Sequence, residues 1–271
     1  MPIEVRSLAE WQSAGIKDML SVVIPAHNEE GHLEGTVRSI IEHLSAAQIQ
    51  FEILVVNDNS RDDTEQVLVK LCAAHPEVRY ISNMPPNRYG FAVRSGLAEF
   101  RGDVVAIFMA DGSDAAADLV RFYRKLEEGY DCVFGSRFIR GGSTLDYPLH
   151  KLIMNRMGNF LIQMLFLLRY NDVTNAFKLY SRRAIAGIQP LLSSEFNLTV
   201  EMPLKCIVRG YSYAVVPNSW RNRKQGISKF KIREMGSRYL FIIFYCLLEK
   251  MLAGGDHELA DRALQLQVWP R

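Results

Sequence analysis

The feature that most constrains this chain is an alternation in its first half. Short unbroken apolar runs recur at Leu20–Ile24, Phe51–Val56, Val78–Ser82, Val104–Met109 and Asp131–Phe134. A strand with no polar alternation is covered on both faces, the condition of a parallel sheet flanked by helices. The intervening stretches carry apolar residues at helical spacing. Leu33, Val37, Ile40, Ile41 and Leu44 form one stripe, and Thr64–Ala74 reads as a second helix that Ser60 or Asp62 is placed to cap. Tyr89–Phe100 and Asp118–Glu128 follow, the last stopping at Gly129. The expectation is an α/β chain with a mostly parallel central sheet and helices on both faces.

After about Gly142 the texture changes. Leu152–Leu168 reads as a helix with Ile153, Met157, Phe160, Leu161, Met164 and Leu168 on one face and Arg156, Asn159 and Gln163 opposite. A helix over Ala184–Leu192, a strand near Tyr213–Val216, a basic loop at 221–233 and a C-terminal apolar helix complete the pattern. Residues 1–19 read as an N-terminal extension, 20–235 as the main domain with halves 20–140 and 141–235, and 236–271 as an apolar helix with a polar tail.

Composition excludes several classes. The 271 residues carry 32 basic and 30 acidic side chains, a net charge of +2, so no nucleic-acid partner is expected from bulk charge. Apolar residues make up 48% of the chain, which excludes a disordered polymer. Cys72, Cys132, Cys206 and Cys246 form no CxxC pair, which speaks against a zinc knuckle and suits a reducing compartment. The N-terminus lacks the pattern of a signal peptide. The longest apolar run, Tyr239–Leu248, is ten residues, too short to span a bilayer.

Ligands of open parallel sheets bind beyond the carboxyl ends of the strands. Three polar loops follow strands here: Pro25-Ala26-His27-Asn28-Glu29-Glu30, Asn57-Asp58-Asn59-Ser60-Arg61-Asp62-Asp63-Thr64, and Ala110-Asp111-Gly112-Ser113-Asp114. Their carboxylates suit ribose hydroxyls, the amide edge of a base, or a divalent cation. GxGxxG, GxxxxGK[ST] and HExxH are all absent, which disfavours a dinucleotide oxidoreductase, a P-loop ATPase and a zinc protease.

These loops resemble the nucleotide-sugar domain of family 2 glycosyltransferases, the GT-A fold. Ser21–Glu30 is similar to that family's opening strand and P-x-x-N-E loop, and Val55–Thr64 to its V-D-D-x-S-x-D-x-T loop. Gly90, Ala92, Arg94 and Gly96 match G-x-A-x-R-x-G, Gly102-Asp103 the G-D before the metal strand, and Asp131–Phe138 the G-S-R segment. Asp172–Lys178 resembles the D-x-T-x-G-F-[RK] stretch of the polyprenyl-phosphate branch, which includes dolichyl-phosphate mannose synthases. Glu201-Met202, Gly210-Tyr211, Val216-Pro217 and Arg223 to Lys229 continue it in order. Three departures matter most: Asn57 replaces an Asp, His27 replaces a Tyr, and the D-x-D metal motif becomes Asp111-Gly112-Ser113-Asp114; Gly141–Thr144 and Asn175-Ala176, where the family often has Ser-Gly, also differ.

The resemblance implies inverting transfer of a sugar from a GDP- or UDP-linked donor to dolichyl or undecaprenyl phosphate at a membrane surface. It implies nucleotide contacts from Pro25, Ala26, Asn28, Glu29, Asp58, Arg94 and Asp111. A divalent metal, Mg or Mn, is expected on Asp111 and Asp114, and phosphate contacts from Arg137, Arg223 and Lys229. Asp111, Arg137, Asp172 and Glu201 are the catalytic candidates. A hydroxyl acceptor would need a base, which Asp172 or Glu201 could supply. A phosphate acceptor is largely dianionic at neutral pH and needs none, so these two carboxylates would orient other groups. Two alternatives stand beside this reading: a soluble family 2 enzyme acting on a saccharide or small-molecule hydroxyl, and an inactive nucleotide-sugar-binding subunit.

Overall fold

The computed structural model describes residues 19–222 and 232–252. Its centre is a seven-stranded sheet. In chain order the strands are β1 Leu20–Ala26, β2 Phe51–Asn57, β3 Val78–Ser82, β4 Val104–Ile107, β5 Cys132–Ser136, β7 Lys178–Ser181 and β8 Tyr213–Pro217, and they lie side by side as β3-β2-β1-β4-β7-β5-β8. All neighbours run parallel except β7, which is antiparallel to both β4 and β5. A small second sheet pairs β6 Ser143–Leu145 with β9 Ser219–Arg221.

The pleat sends alternate strand residues to two cores. Val22, Ile24, Ile53 and Val55 face the core closed by α1 Leu33–Ala46, α2 Thr64–Ala74 and α4 Ala116–Leu126. Val23, Leu54 and Val56 face the other. That core holds α3 Tyr89–Glu99, α5 Leu149–Phe166, α6 Arg182–Gly187, α7 Leu198–Val208 and α8 Ile232–Leu252. Two glycines of the G-x-A-x-R-x-G run are explained by close approach. A Cβ on Gly96 would collide with Val23, and one on Gly90 with the backbone of Ser193 to Glu195. These glycines seat α3 on the sheet and against the 193–195 turn.

The expected helix 184–192 is one short helix that ends at Gly187, ahead of Pro190. The small-sheet strands β6 and β9 lay outside the sequence reading, and so did two larger elements. One is β7, whose pairing is long-range. The other is α7, which carries Pro203 in its interior. A proline lacks the N–H that would bond the carbonyl four residues back, here Thr199. That carbonyl instead accepts Lys178 Nζ at 3.1 Å.

Helix α5 has the expected stripes, with the polar one facing inward. Asn159 is buried and donates to Thr174 Oγ1 at 2.9 Å, and Arg156 donates to the Asn171 carbonyl at 3.1 Å. Ile153, Met157, Phe160 and Met164 are exposed. Helix α8 divides its apolar run: Ile242, Ile243 and Cys246 are buried, while Phe241, Phe244 and Leu248 face out. Among the described residues no helix is long and apolar enough to cross a membrane.

Candidate active site

The loops after β1 and β2 are laced together by hydrogen bonds. Asn28 takes a left-handed backbone at φ 58°, a conformation asparagine tolerates better than most residues. Its N–H donates to Ser60 Oγ at 3.1 Å, and its Oδ1 accepts from Arg61 N at 2.8 Å. Glu29 N donates to Thr64 Oγ1 at 2.9 Å, and Asp63 N to Glu30 Oε2 at 2.8 Å. Asn57, the departure from the family's Asp, turns Oδ1 back to accept from Ser60 N at 3.1 Å. Asp62 accepts from both the Thr64 N–H and hydroxyl, at 3.1 and 2.6 Å, and so starts α2.

Several residues assigned to the nucleotide from sequence have structural duties here. Pro25 and Ala26 are buried inside β1, and the Ala26 carbonyl accepts from Asp58 N at 2.8 Å. Their side chains shape the end of the strand. Arg94 lies on α3 with its guanidinium 5.6 Å from the Phe91 ring centroid. Asp58 sits one residue past β2, nearly buried, and accepts from Asn83 Nδ2 at 2.7 Å. His27 Nδ1 lies 2.8 Å from the Asp58 carbonyl.

The third loop begins where β4 ends. Asp111 Oδ1 accepts from Ser113 N at 3.1 Å, and Gly112 supplies the left-handed residue of the turn at φ 65°. Asp114 is buried, and its Oδ1 has no hydrogen-bond partner. Burial, reinforced by the charge of Asp111, pushes the Asp114 carboxyl up to about 7. An unpartnered buried carboxylate oxygen beside a second carboxylate is the arrangement a cation relieves. Among the described residues no group of three or more His, Cys, Asp or Glu is placed to hold a metal. A cation here would thus take two protein carboxylates and complete its shell with phosphate oxygens and water. A cavity of about 550 Å³ opens beside this loop, lined by His32, Thr36, Asp111, Gly112 and Asp114.

A second wall, outside that cavity's lining, is built around Arg137, the residue after β5, whose charge acts on Asp114. Its Nε and Nη2 donate to Asp172 at 2.8 and 2.7 Å, and its backbone N–H adds a third bond at 3.0 Å. Phe138, Tyr147 and Trp220 place their ring centroids 5.3, 5.7 and 5.9 Å from the guanidinium carbon. Burial works against the charge, yet the bonds and charge of Asp172 outweigh it and hold Arg137 above its ordinary value. Trp220 also bridges to Asp114, and Arg221 N donates to the Ser113 carbonyl at 2.9 Å. Strand β9 thereby ties the carboxylate loop to the arginine. It also delivers the start of the basic segment to this wall. Arg223 and Lys229 lie outside the described residues.

The two candidate bases are both committed. Asp172 is fully buried against Arg137. Glu201 is fully buried too; its oxygens accept from Leu192 N and Ser193 N at 2.7 Å each, and Lys205 Nζ lies 2.8 Å away. Glu201 holds the 192–193 turn, a placement that suits support and not proton transfer to a substrate. Beneath the site Lys178 is buried and donates to the carbonyls of Val173 and Thr199, at 3.0 and 3.1 Å, and to that of Asn175. Burial pulls its amine down to about 7. Lys178, Tyr147, Trp220 and Asn83 were not singled out from sequence; only Lys178 lay within a quoted motif.

The profile described as Glycosyl transferase family 2 matches residues 21–188, which span β1 to the end of α6. The chain belongs to that family. The transferase is 28% identical over 233 residues to the polyprenol monophosphomannose synthase of Mycolicibacterium smegmatis, covering 80% of this chain and 86% of that protein. It is 27% identical over 217 residues to the dolichol-phosphate mannosyltransferase of Pyrococcus furiosus, covering 78% of this chain and 59% of that protein. Among solved structures, glucosyl-3-phosphoglycerate synthase from Mycobacterium tuberculosis, in complex with Mn²⁺, UDP and glucosyl-3-phosphoglycerate, superposes with a TM-score of 0.64 at 18% identity. That match covers 90% of this chain and 84% of that one. The same synthase bound to Mg²⁺ and UDP gives 0.63. At this identity the likeness speaks for the GT-A fold.

Proposed function

We propose that this transferase moves a sugar, with inversion, from a GDP- or UDP-linked donor to a polyprenyl phosphate at a membrane surface. The observation that carries the choice of acceptor is the commitment of both candidate bases. Asp172 is spent on Arg137, and Glu201 on Lys205 and the 192–193 turn. A hydroxyl acceptor needs a base within reach. A lipid monophosphate, with its second pKa near 6, arrives deprotonated. The two named polyprenyl-phosphate relatives support the same class.

In this reading Asp58 accepts the imide N–H of the base, and the laced loops after β1 and β2 hold it in place. The diphosphate lies toward Asp111 and Asp114. A Mg²⁺ or Mn²⁺ held by these two carboxylates would offset the negative charge that builds on the departing diphosphate. Arg137 faces the same charge from the other wall, fixed by Asp172 so that little reorganisation accompanies the reaction. An oxygen of the lipid phosphate forms the new bond to the anomeric carbon. The bond from that carbon to the diphosphate oxygen breaks, and the electron pair leaves with the nucleoside diphosphate. No proton has to move.

Membrane-surface association is supported by the outward faces of α5 and α8. Met157, Phe160, Met164, Phe241, Phe244 and Leu248 are all more than 50% exposed. Large apolar side chains left exposed on two helices are candidates for an interaction site. Lys151 is on the same helix as the first three, and α5 has no acidic residue. An apolar face on a helix with a cation and no acidic residue suits the interface of an anionic leaflet. The test is incubation with dolichyl or undecaprenyl phosphate and radiolabelled GDP- and UDP-sugars. Label in the organic phase is the expected result; no lipid-linked product from any pair overturns the proposal.

A further inference from the structure

We infer that Asn83 and Ser95 are positioning residues for Asp58, and that together they set which base edge the nucleotide site accepts. The inference rests on the donor placement proposed above. Asp58 and Asn83 are the first residues beyond the adjacent parallel strands β2 and β3, where Asn57 pairs with Ser82. Asn83 N donates to the Asn57 carbonyl at 2.9 Å, so its backbone is an extension of the sheet. Its side-chain Nδ2 donates to Asp58 Oδ1 at 2.7 Å, and its Oδ1 accepts from Ser95 Oγ at 2.7 Å. Asn83 and Asp58 are both buried.

The direction of this relay is fixed by chemistry. A carboxylate accepts and does not donate, so the amide must turn its NH₂ to Asp58 and its oxygen to the Ser95 hydroxyl. Flipping the amide would set two acceptor oxygens against each other. Ser95 belongs to α3, which Gly96 seats against β1, so the relay is anchored at both ends on regular elements. With Oδ1 held by Asn83, the Asp58 carboxylate keeps one rotamer and presents Oδ2 as a fixed acceptor. Such an acceptor reads a ring N–H. Uracil and guanine carry one on their pairing edge. Cytosine and adenine carry an unprotonated ring nitrogen there, which would face the carboxylate acceptor to acceptor.

The test is calorimetric titration of the full chain with UDP, GDP, CDP and ADP in Mg²⁺, using wild type, Asn83→Ala, Ser95→Ala and Ser95→Thr. Wild type is expected to bind UDP or GDP and to reject CDP and ADP. Asn83→Ala is expected to weaken binding about tenfold and to narrow that gap, the scale of losing one hydrogen bond to a charged group. Ser95→Ala should lose less, and Ser95→Thr, which keeps the hydroxyl, should restore the wild-type value. In transfer assays the loss should fall on KM, with kcat within twofold of wild type. Asn83→Ala binding like wild type with the same base preference overturns the relay. If that variant does not fold, equal losses in Ser95→Ala and Ser95→Thr overturn it. Failure of wild type to bind any of the four nucleotides refutes the donor reading itself.

Discussion

Replacing Asp172 by Asn tests whether the ion pair behind the site is the structural element described here. The side chain keeps its shape and loses its charge. Asp172 accepts three hydrogen bonds from Arg137, at 2.7, 2.8 and 3.0 Å, and neither side chain reaches solvent to more than 7%. Breaking a buried pair from one side strands the other charge and costs about 3–5 kcal/mol. Asparagine can still accept through one oxygen, which places the expected loss near the lower end, about 3 kcal/mol. For a domain of this size each kcal/mol lowers Tm by about 2–4 °C, so the variant should melt about 6–12 °C below wild type. Equilibrium urea unfolding gives the free energy and differential scanning fluorimetry the Tm. The pair Asp172→Leu with Arg137→Met removes both charges and should recover much of the stability while abolishing transfer. A loss below about 1 kcal/mol for Asp172→Asn would refute the reasoning, as would a double variant no more stable than the single one.

Further predictions concern the membrane face, the cation and the buried lysine. Phe160→Glu and Phe244→Glu, at exposed positions on α5 and α8, should leave Tm within about 2 °C while sharply reducing co-sedimentation with vesicles containing anionic lipid. Unchanged co-sedimentation would count against the docking face. Asp111→Asn should cost at least tenfold in nucleoside-diphosphate affinity when Mg²⁺ is present and much less in EDTA; equal losses in both conditions would contradict a cation-holding role. Lys178, with its amine pulled from 10.5 to about 7, is neutral in the folded chain over a range where the unfolded chain still holds the proton. The unfolded state then binds more protons, so this residue's contribution to stability rises as pH goes from about 7 to 10.5 and is flat below 7. Lys178→Met should flatten the urea-midpoint rise between those pH values relative to wild type. An unchanged slope would argue that the amine stays charged.

The parts of the fold that were legible in the sequence are those written locally. Thr64–Ala74 and Val78–Ser82 were read with the bounds they have in the structure, because a helical stripe and an unbroken apolar run are properties of neighbouring residues. The stripes of α5 were legible, but the inward direction of the polar face was not. It depends on Thr174 and Asn171, which lie beyond the helix. Helix α7 was hidden by Pro203, whose cost is offset by Lys178 from a distant strand. The same limit governed the site. Asp111, Asp114, Arg137 and Asp172 could be nominated from motifs, whereas the 35-residue separation that brings Arg137 to Asp172 is a tertiary fact. Glu201 could likewise be nominated from a motif, whereas its partners at Leu192, Ser193 and Lys205 are tertiary facts.

The central claim is that the acceptor arrives as a phosphate already able to attack, so that no protein base is needed. The most direct measurement compares a polyprenyl phosphate with the corresponding polyprenol, each incubated with the protein, Mg²⁺ and a labelled donor identified by nucleotide binding. The account predicts label transferred to the phosphate and none to the alcohol. Equal transfer to both, or transfer to the alcohol alone, would contradict it.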